Sequence, residues 1–278
     1  MKIRDRPMQT VDAEPKGVLA PAAAARKFRL ARYVPADDLR GVIEHHWVVE
    51  WDLRGQEPYV QKTLPYPCVH LVFEPGKTTI HGVMRRTFEY RLAGAARVLG
   101  VRFRPGGFRG LLGASVATIT DREIPLERIF NVSAAEAEAA VFCAPDDAGM
   151  VAAAEAIVRG RAQLTAADPN VEVTHGIVER IAADRTINKV EDLAPSTGLG
   201  IRALQRLFRE YVGISPKWVI RRARLHDAAA RLADTGHVNL TRLAHELGYS
   251  DQAHFTRDFK AVVGRSPSDY RRAAAKPG

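Results

Sequence analysis

A unit of about fifty residues occurs twice in the last hundred positions of the chain, and this constrains its fold more than any other feature. Leu204, Arg206, Phe208, Gly213, Ser215 and Pro216 recur as Phe255, Arg257, Phe259, Gly264, Ser266 and Pro267, each pair 51 positions apart. Upstream, Leu193-Ala194 and Gly198 recur as Leu243-Ala244 and Gly248 at an interval of 50, so the second turn is one residue longer. Helical periodicity repeats apolar residues, but it repeats neither an arginine between them nor a Gly-x-Ser-Pro stop. In that stop, glycine ends one helix, serine caps the next and proline takes its first turn, where a missing N–H costs nothing.

The second copy, Asn239 to Arg272, reads as two helices around a tight turn. Asn239 can cap a helix whose Leu240, Leu243, Ala244 and Leu247 recur at the period of one buried face. Gly248 stops it, and Ser250 is placed to cap the next helix. That second helix buries Phe255, Phe259 and Val262, while Gln252, His254, Arg257 and Lys260 project elsewhere. This is helix-turn-helix grammar, and glutamine and arginine read base edges by paired hydrogen bonds. Between the units, Ser215 and Pro216 open a helix running to about Asp234. Its Leu225, Ala228, Ala229 and Leu232 form a buried stripe, with Lys217, Arg221, Arg222 and Arg224 on other faces. About 20 residues at 1.5 Å each span roughly 30 Å, close to the ~34 Å of one DNA turn, so the helix can space two reading heads.

From Val171 to Arg272 the chain resembles the AraC/XylS family of bacterial transcription regulators. The most specific stretch is LGYSDQAHFTRDFKAVVGRSPSDYRR, close to the family signature, and LQRLFREYVGISPKWVIRRARLHDAAARL is similar to its first reading and connecting helices. The resemblance implies that Arg202, Gln205 and Arg206, and Gln252, Ala253, His254 and Arg257, face DNA. Arg209, Arg221, Arg222 and Lys260 are candidates for phosphate contacts. Two departures stand out. Gly200 replaces a usual serine cap, which glycine can also fill. Pro195 falls inside the first scaffold helix, where it removes a backbone bond and is expected to kink it, at about 3 kcal/mol.

Composition agrees with a polyanionic partner without identifying one. The net charge is +9. From Val171 onward there are 18 Lys and Arg against 12 Asp and Glu, so the excess is concentrated in the repeat region. Only two cysteines, Cys68 and Cys143, make a disulfide framework unexpected and suit the reducing cytoplasm. No apolar run approaches the ~18 residues of a membrane span. Residues 1–26 carry charges and prolines but no signal-peptide core, and read as flexible.

Within residues 27–163, read as one β-rich domain, the period changes to two from Phe28 to about Arg104. VIEHHWVVEWDL, CVHLVFE, TTIHGV, TFEYRL and ARVLGVRF are rich in Val, Thr and aromatics and broken by Pro and Gly, which predicts antiparallel strands. RLAGAARVLG reads as a hairpin. Five such strands favour a small barrel or sandwich. Asp121 to Glu127 and the run from Ser133 through Val158 read as helices, and residues 164–170, LTAADPN, as the linker before residues 171–278. The expected fold class is therefore α+β: an antiparallel barrel- or sandwich-like domain with flanking helices, then an all-α domain of two helix-turn-helix units joined by a long helix. The family offers a regulatory domain of similar character in the same order, and HHWVVEWDLRG, QKTLPYPCVHLVFE and GVRFRPGGFRGLLG resemble a less-characterised subgroup.

Enzymatic chemistry finds little support in the residues. His45, His46, His70, Glu74 and His81 lie in or beside strands, yet adjacent His45 and His46 must face opposite sides, and no metal site is expected. Gly106-Gly107 between arginines lacks the lysine and spacing of a phosphate loop. Pro67-Cys68-Val69-His70 invites comparison with the Pro-Cys-His site of DNA alkyltransferases, but Val69 intervenes, and a buried structural cysteine is the default reading. No catalytic set and no cofactor are expected. The sequence thus points to a cytoplasmic, DNA-binding transcription regulator, with a DNA-repair or other enzymatic module targeted by the same repeat as the alternative. Its expected partners are promoter DNA, RNA polymerase, a small-molecule effector and a second copy of the chain.

Overall fold

The computed structural model describes residues 8–11, 17–162, 168–234 and 238–274. After a short helix α1 (Pro21–Ala24) come β1 (Arg29–Tyr33), β2 (Ile43–Asp52), β3 (Tyr59–Thr63), β4 (His70–Phe73), β5 (Thr79–His81), β6 (Phe88–Leu92) and β7 (Ala95–Phe103). Helix α2 (Phe108–Leu112), strand β8 (Glu123–Pro125) and helices α3 (Ala134–Phe142) and α4 (Asp147–Ala162) complete the first part. Helices α5 (Pro169–Ala183), α6 (Ala194–Thr197), α7 (Ile201–Tyr211), α8 (Pro216–Ala233), α9 (Leu240–Glu246), α10 (Gln252–Val263) and α11 (Pro267–Ala274) follow.

The strands form a six-stranded antiparallel sheet, β1-β2-β7-β4-β5-β8, and a two-stranded sheet, β3-β6. They do not close into a barrel. The expected hairpin at RLAGAARVLG is not formed, because β7 already pairs with β2 on one side and β4 on the other. The chain changes sheets at Gly94, whose φ of 62° an L residue rarely adopts. The expected helix over Asp121–Glu127 is instead β8, where Ile124 pairs with Ile80 and is buried. The Ser133 start is a capping box with Glu136, as its S-x-x-E spacing allows.

Alternation assigns the two faces of the large sheet. His46 and Val48 of β2 and Leu99, Val101 and Phe103 of β7 face the helical layer and are buried. His46 Nε2 meets Glu155 of α4 at 3.0 Å. Asp147 opens α4 and accepts hydrogen bonds from Tyr33 of β1 and the guanidiniums of Arg29 (2.8 Å) and Arg97. Burial pushes this carboxyl up, but those donors outweigh it and hold it below its ordinary 3.8. The stabilisation it contributes is therefore complete above about pH 4 and is lost as the pH falls below that value. Asp147→Asn is expected to cost about 2 kcal/mol at neutral pH, the scale of charge-assisted hydrogen bonds, and to remove this acid limb. Urea denaturation across pH 3 to 7 checks both, and equal stabilities at pH 7 would refute the assignment.

A single apolar core runs from the large sheet through α4 into α5, α7 and the start of α8. A second core joins α8 to α11 and takes in Leu19 and Leu64 from the first part of the chain. The described parts of the first 26 residues are bonded to the sheets, Val11 to Arg32 and Leu19 to Lys62. The expectation of flexibility for residues 1–7 and 12–16, and residues 164–167 of the expected linker, fall outside the described residues.

Candidate nucleic-acid interface

The second unit is built from α9, a turn and α10. Asn239 accepts from the Arg242 amide at 3.0 Å, and Leu243, Ala244 and Leu247 are buried. Gly248, at φ 77°, turns the chain, with the Tyr249 amide returning to the Ala244 carbonyl. A β-carbon there would come within 2.7 Å of Asn188, so only glycine fits. The cap of α10 is Asp251 rather than the expected Ser250: its carboxylate accepts from the His254 amide at 2.7 Å, and the carboxylate also suits the positive helix end. Phe255, Phe259 and Val263 are buried, Val262 only partly. Gln252, Ala253, His254, Arg257 and Lys260 are exposed.

The first unit repeats this plan with a shorter entry. Pro195 does not kink a helix. A 3₁₀ turn over Val190–Leu193 precedes it, and it stands in the first turn of α6, where its missing N–H is not needed. Gly198, at φ 66°, ends α6, and Gly200 caps α7. Leu204 and Phe208 are buried, while Arg202, Gln205, Arg206 and Arg209 are exposed. The side chains of Arg202, Arg206, Arg209, Arg257 and Lys260 make no hydrogen bond or ion pair with any described residue. Each unit therefore presents unpaired cations beside amide-bearing Gln205 or Gln252 on the exposed face of its second helix.

Helix α8 carries the two units. At 18 residues it is about 27 Å long. Two of its arginines, read as phosphate contacts, have other partners. Arg221 pairs with buried Asp258 of α10 through both oxygens, one at 2.7 Å, and Tyr249 donates to the same carboxylate at 2.6 Å. This clamp fixes α10 on α8. Arg222 is not at the surface: 4% exposed, it donates to the Arg85 carbonyl at 2.6 Å and stacks on Trp218 at 4.6 Å. Burial, with the charge of Arg221, pushes it down to about 10. The sequence signal for Asp258 is weak: it follows Arg257, and only its helical spacing from Phe255 and Val262 places it beside the buried face, where a charged group needs a partner.

A cavity of about 270 Å³ lies between the two sheets. It is lined by the face opposite the helices, including Arg32 of β1, His45, Trp47 and Trp51 of β2, and Arg102 of β7. Sequence reasoning singled out its histidines but missed its arginines, although Arg32 and Arg102 follow from the same alternation. Cys68 is 3% exposed, and burial pushes its thiol up to about 12, which leaves no nucleophilic thiolate at neutral pH. Among the described residues, no three His, Cys, Asp or Glu side chains are grouped to hold a metal ion. No described helix is long and apolar enough to cross a membrane.

Two family models match separate parts of the chain. Residues 193–273 match a family described as a helix-turn-helix domain, and residues 31–125 one described as a domain of unknown function (DUF6597). Transcriptional activator NphR from Rhodococcus is 26% identical over 172 residues, which cover 62% of this chain and 48% of NphR. HTH-type transcriptional activator RhaS from Pectobacterium atrosepticum is 32% identical over 82 residues, 30% of this chain and 29% of RhaS. A crystal structure of a probable AraC family transcriptional regulator from Rhodopseudomonas palustris is 28% identical, covers 38% of this chain and 99% of that one, and has a TM-score of 0.34. The chain thus spans about half the length of NphR and under a third of RhaS.

Proposed function

We propose, from the premise that the helix-turn-helix region is that of the AraC/XylS family, that the chain is a sequence-specific DNA-binding regulator of transcription. The observation that carries the proposal is the placement of Arg206 and Arg257. They stand at equivalent exposed positions of α7 and α10, each on a helix whose opposite face is buried by a repeated apolar pair. Two such helices, spaced by α8, suit two successive major-groove segments. In this reading Arg202, Gln205, Arg206, Gln252, Ala253, His254 and Arg257 meet base edges, and Arg209 and Lys260 meet phosphates. Arg221 acts by holding α10, and Arg222 by holding the first part of the chain against α8.

The first part receives a small-molecule signal through the cavity between its sheets, a concave and largely apolar space of the kind ligands occupy. Promoter DNA, RNA polymerase and a second copy of the chain are the partners, in the cytoplasm. The DNA-repair alternative loses its support with the buried Cys68 thiol.

Hydroxyl-radical footprinting of the full-length chain on DNA selected from a random pool tests the two-headed arrangement. Two protected segments centred about 10 base pairs apart, on one face of the duplex, are expected. A single short footprint would contradict it.

A further inference from the structure

We propose that the cavity takes an apolar, ring-bearing carboxylate held by Arg102 and Arg32, and that its arrival is passed through Tyr66 to His226 of α8. This rests on the reading of the first part as a receiver of a small-molecule signal. The charge of the cavity is the first argument. Arg102 lies inside the fold with its Nε 3.2 Å from Glu44, at an angle that makes no hydrogen bond. The Arg32 guanidinium makes no hydrogen bond or ion pair with any described residue. Both line one cavity, where burial and then the charge of Arg102 push the Arg32 guanidinium down. The neighbouring histidines add no charge: burial, then Arg102, holds His45 down at about 3 and His70 well below its ordinary value. Both guanidiniums line this end of the cavity, whereas the nearby carboxylates of Glu44 and Glu179 are not part of its lining, so the surface offered to a ligand there is positive. Placing an anion there relieves the burial of an incompletely paired cation, and a guanidinium fork matches a carboxylate.

The walls supply the rest of the ligand's description. Trp47 lies across Gly100, where a β-carbon would come 2.0 Å from the indole ring, and its N–H donates to His70 Nδ1 at 3.3 Å. Trp51, Phe88 and Tyr90 line the same space. Flat, rigid aromatic walls and about 270 Å³ suit a small ring-bearing body rather than a sugar, whose hydroxyls would find few partners on them.

Tyr66 joins the cavity to the DNA-reading units. The Arg102 guanidinium sits 4.2 Å from its ring centre on the cavity side. The ring of His226 packs on it at 4.2 Å between centres, with His226 Nε2 3.3 Å from the Pro65 carbonyl. A carboxylate that draws Arg102 toward itself weakens the cation–π contact on Tyr66 and frees that ring to move against α8, the helix that spaces the two units.

The test uses the full chain and a series of probes: benzoate, phenylacetate and 3-phenylpropionate, each beside its primary amide. Calorimetry is expected to show the acids binding at least about tenfold more tightly than their amides. Arg32→Gln and Arg102→Lys should each lose about tenfold for the acids and little for the amides. The two variants guard each other against misfolding, since Arg32 is only half-buried. His226→Ala should bind the acids as wild type does while losing their effect on DNA affinity. Amides binding as tightly as acids, or no member of the series binding, overturns the carboxylate assignment. Wild-type acid binding that leaves DNA affinity unchanged overturns instead the reading of this part as a signal receiver. An effect on DNA that survives in His226→Ala overturns the route through Tyr66.

Discussion

Raising the salt from 50 to 200 mM is expected to weaken operator binding by the full-length chain by roughly 500-fold. The estimate follows from about five neutralised phosphates, each contributing close to −0.9 to the slope of log affinity against log salt. Arg209 and Lys260 at phosphates, with Arg202, Arg206 and Arg257 carrying their charges into the groove between phosphates, supply this number. Arg221 and Arg222 do not add to it, because Asp258 and the Arg85 carbonyl hold them. Lys260→Ala should therefore flatten the slope by about one and weaken all sequences alike, whereas Arg222→Ala should leave the slope as it is. Fluorescence anisotropy over a salt series at constant pH reads both. A slope shallower than about −2, or one that Arg222→Ala reduces as Lys260→Ala does, would remove the electrostatic part of the account.

The repeat was legible because its signal is local. A glycine that must turn left-handed, a serine or asparagine cap and an apolar pair at helical spacing each act within a few residues, and they fall where the structure has the turns at Gly198 and Gly248. Strand alternation was legible for the same reason, and it correctly sent His45 and His46 to opposite faces. Pairing was not. Nothing in RLAGAARVLG says that both edges of β7 are taken by strands distant in sequence, so a nearby partner was the natural expectation. Nor does local pattern choose between adjacent caps: Ser250 and Asp251 are both good, and only the path of the turn selects the second. The burial of Arg222 depends on a contact with residue 85, far beyond the reach of helical periodicity. Pro195 shows the converse, a residue whose expected kink disappears once the helix starts one residue before it.

Arg257→Ala and Arg206→Ala are expected to change which DNA is bound, as well as how tightly. Each arginine stands on an exposed helix face beside an amide side chain, and a guanidinium that forms paired hydrogen bonds with a base discriminates by about 1–3 kcal/mol, roughly 5- to 150-fold. Loss at Arg257 should relax preference in one half of the site and loss at Arg206 in the other. The two halves should be centred about one helical turn apart, because α8, about 27 Å long, runs between the units. The larger loss is expected at Arg257, whose helix is fixed by the Asp258 clamp and capped by Asp251, while α7 is capped only by Gly200.

Selection of preferred sequences from a random DNA pool, at one fixed salt, by the wild type, Arg206→Ala, Arg257→Ala and Lys260→Ala tests two-headed base reading most directly. Each arginine variant should lose sequence preference in its own half-site alone, while Lys260→Ala keeps the full wild-type preference at lower affinity. If both arginine variants instead select the wild-type sequence and differ only in overall affinity, the two units grip DNA without reading it.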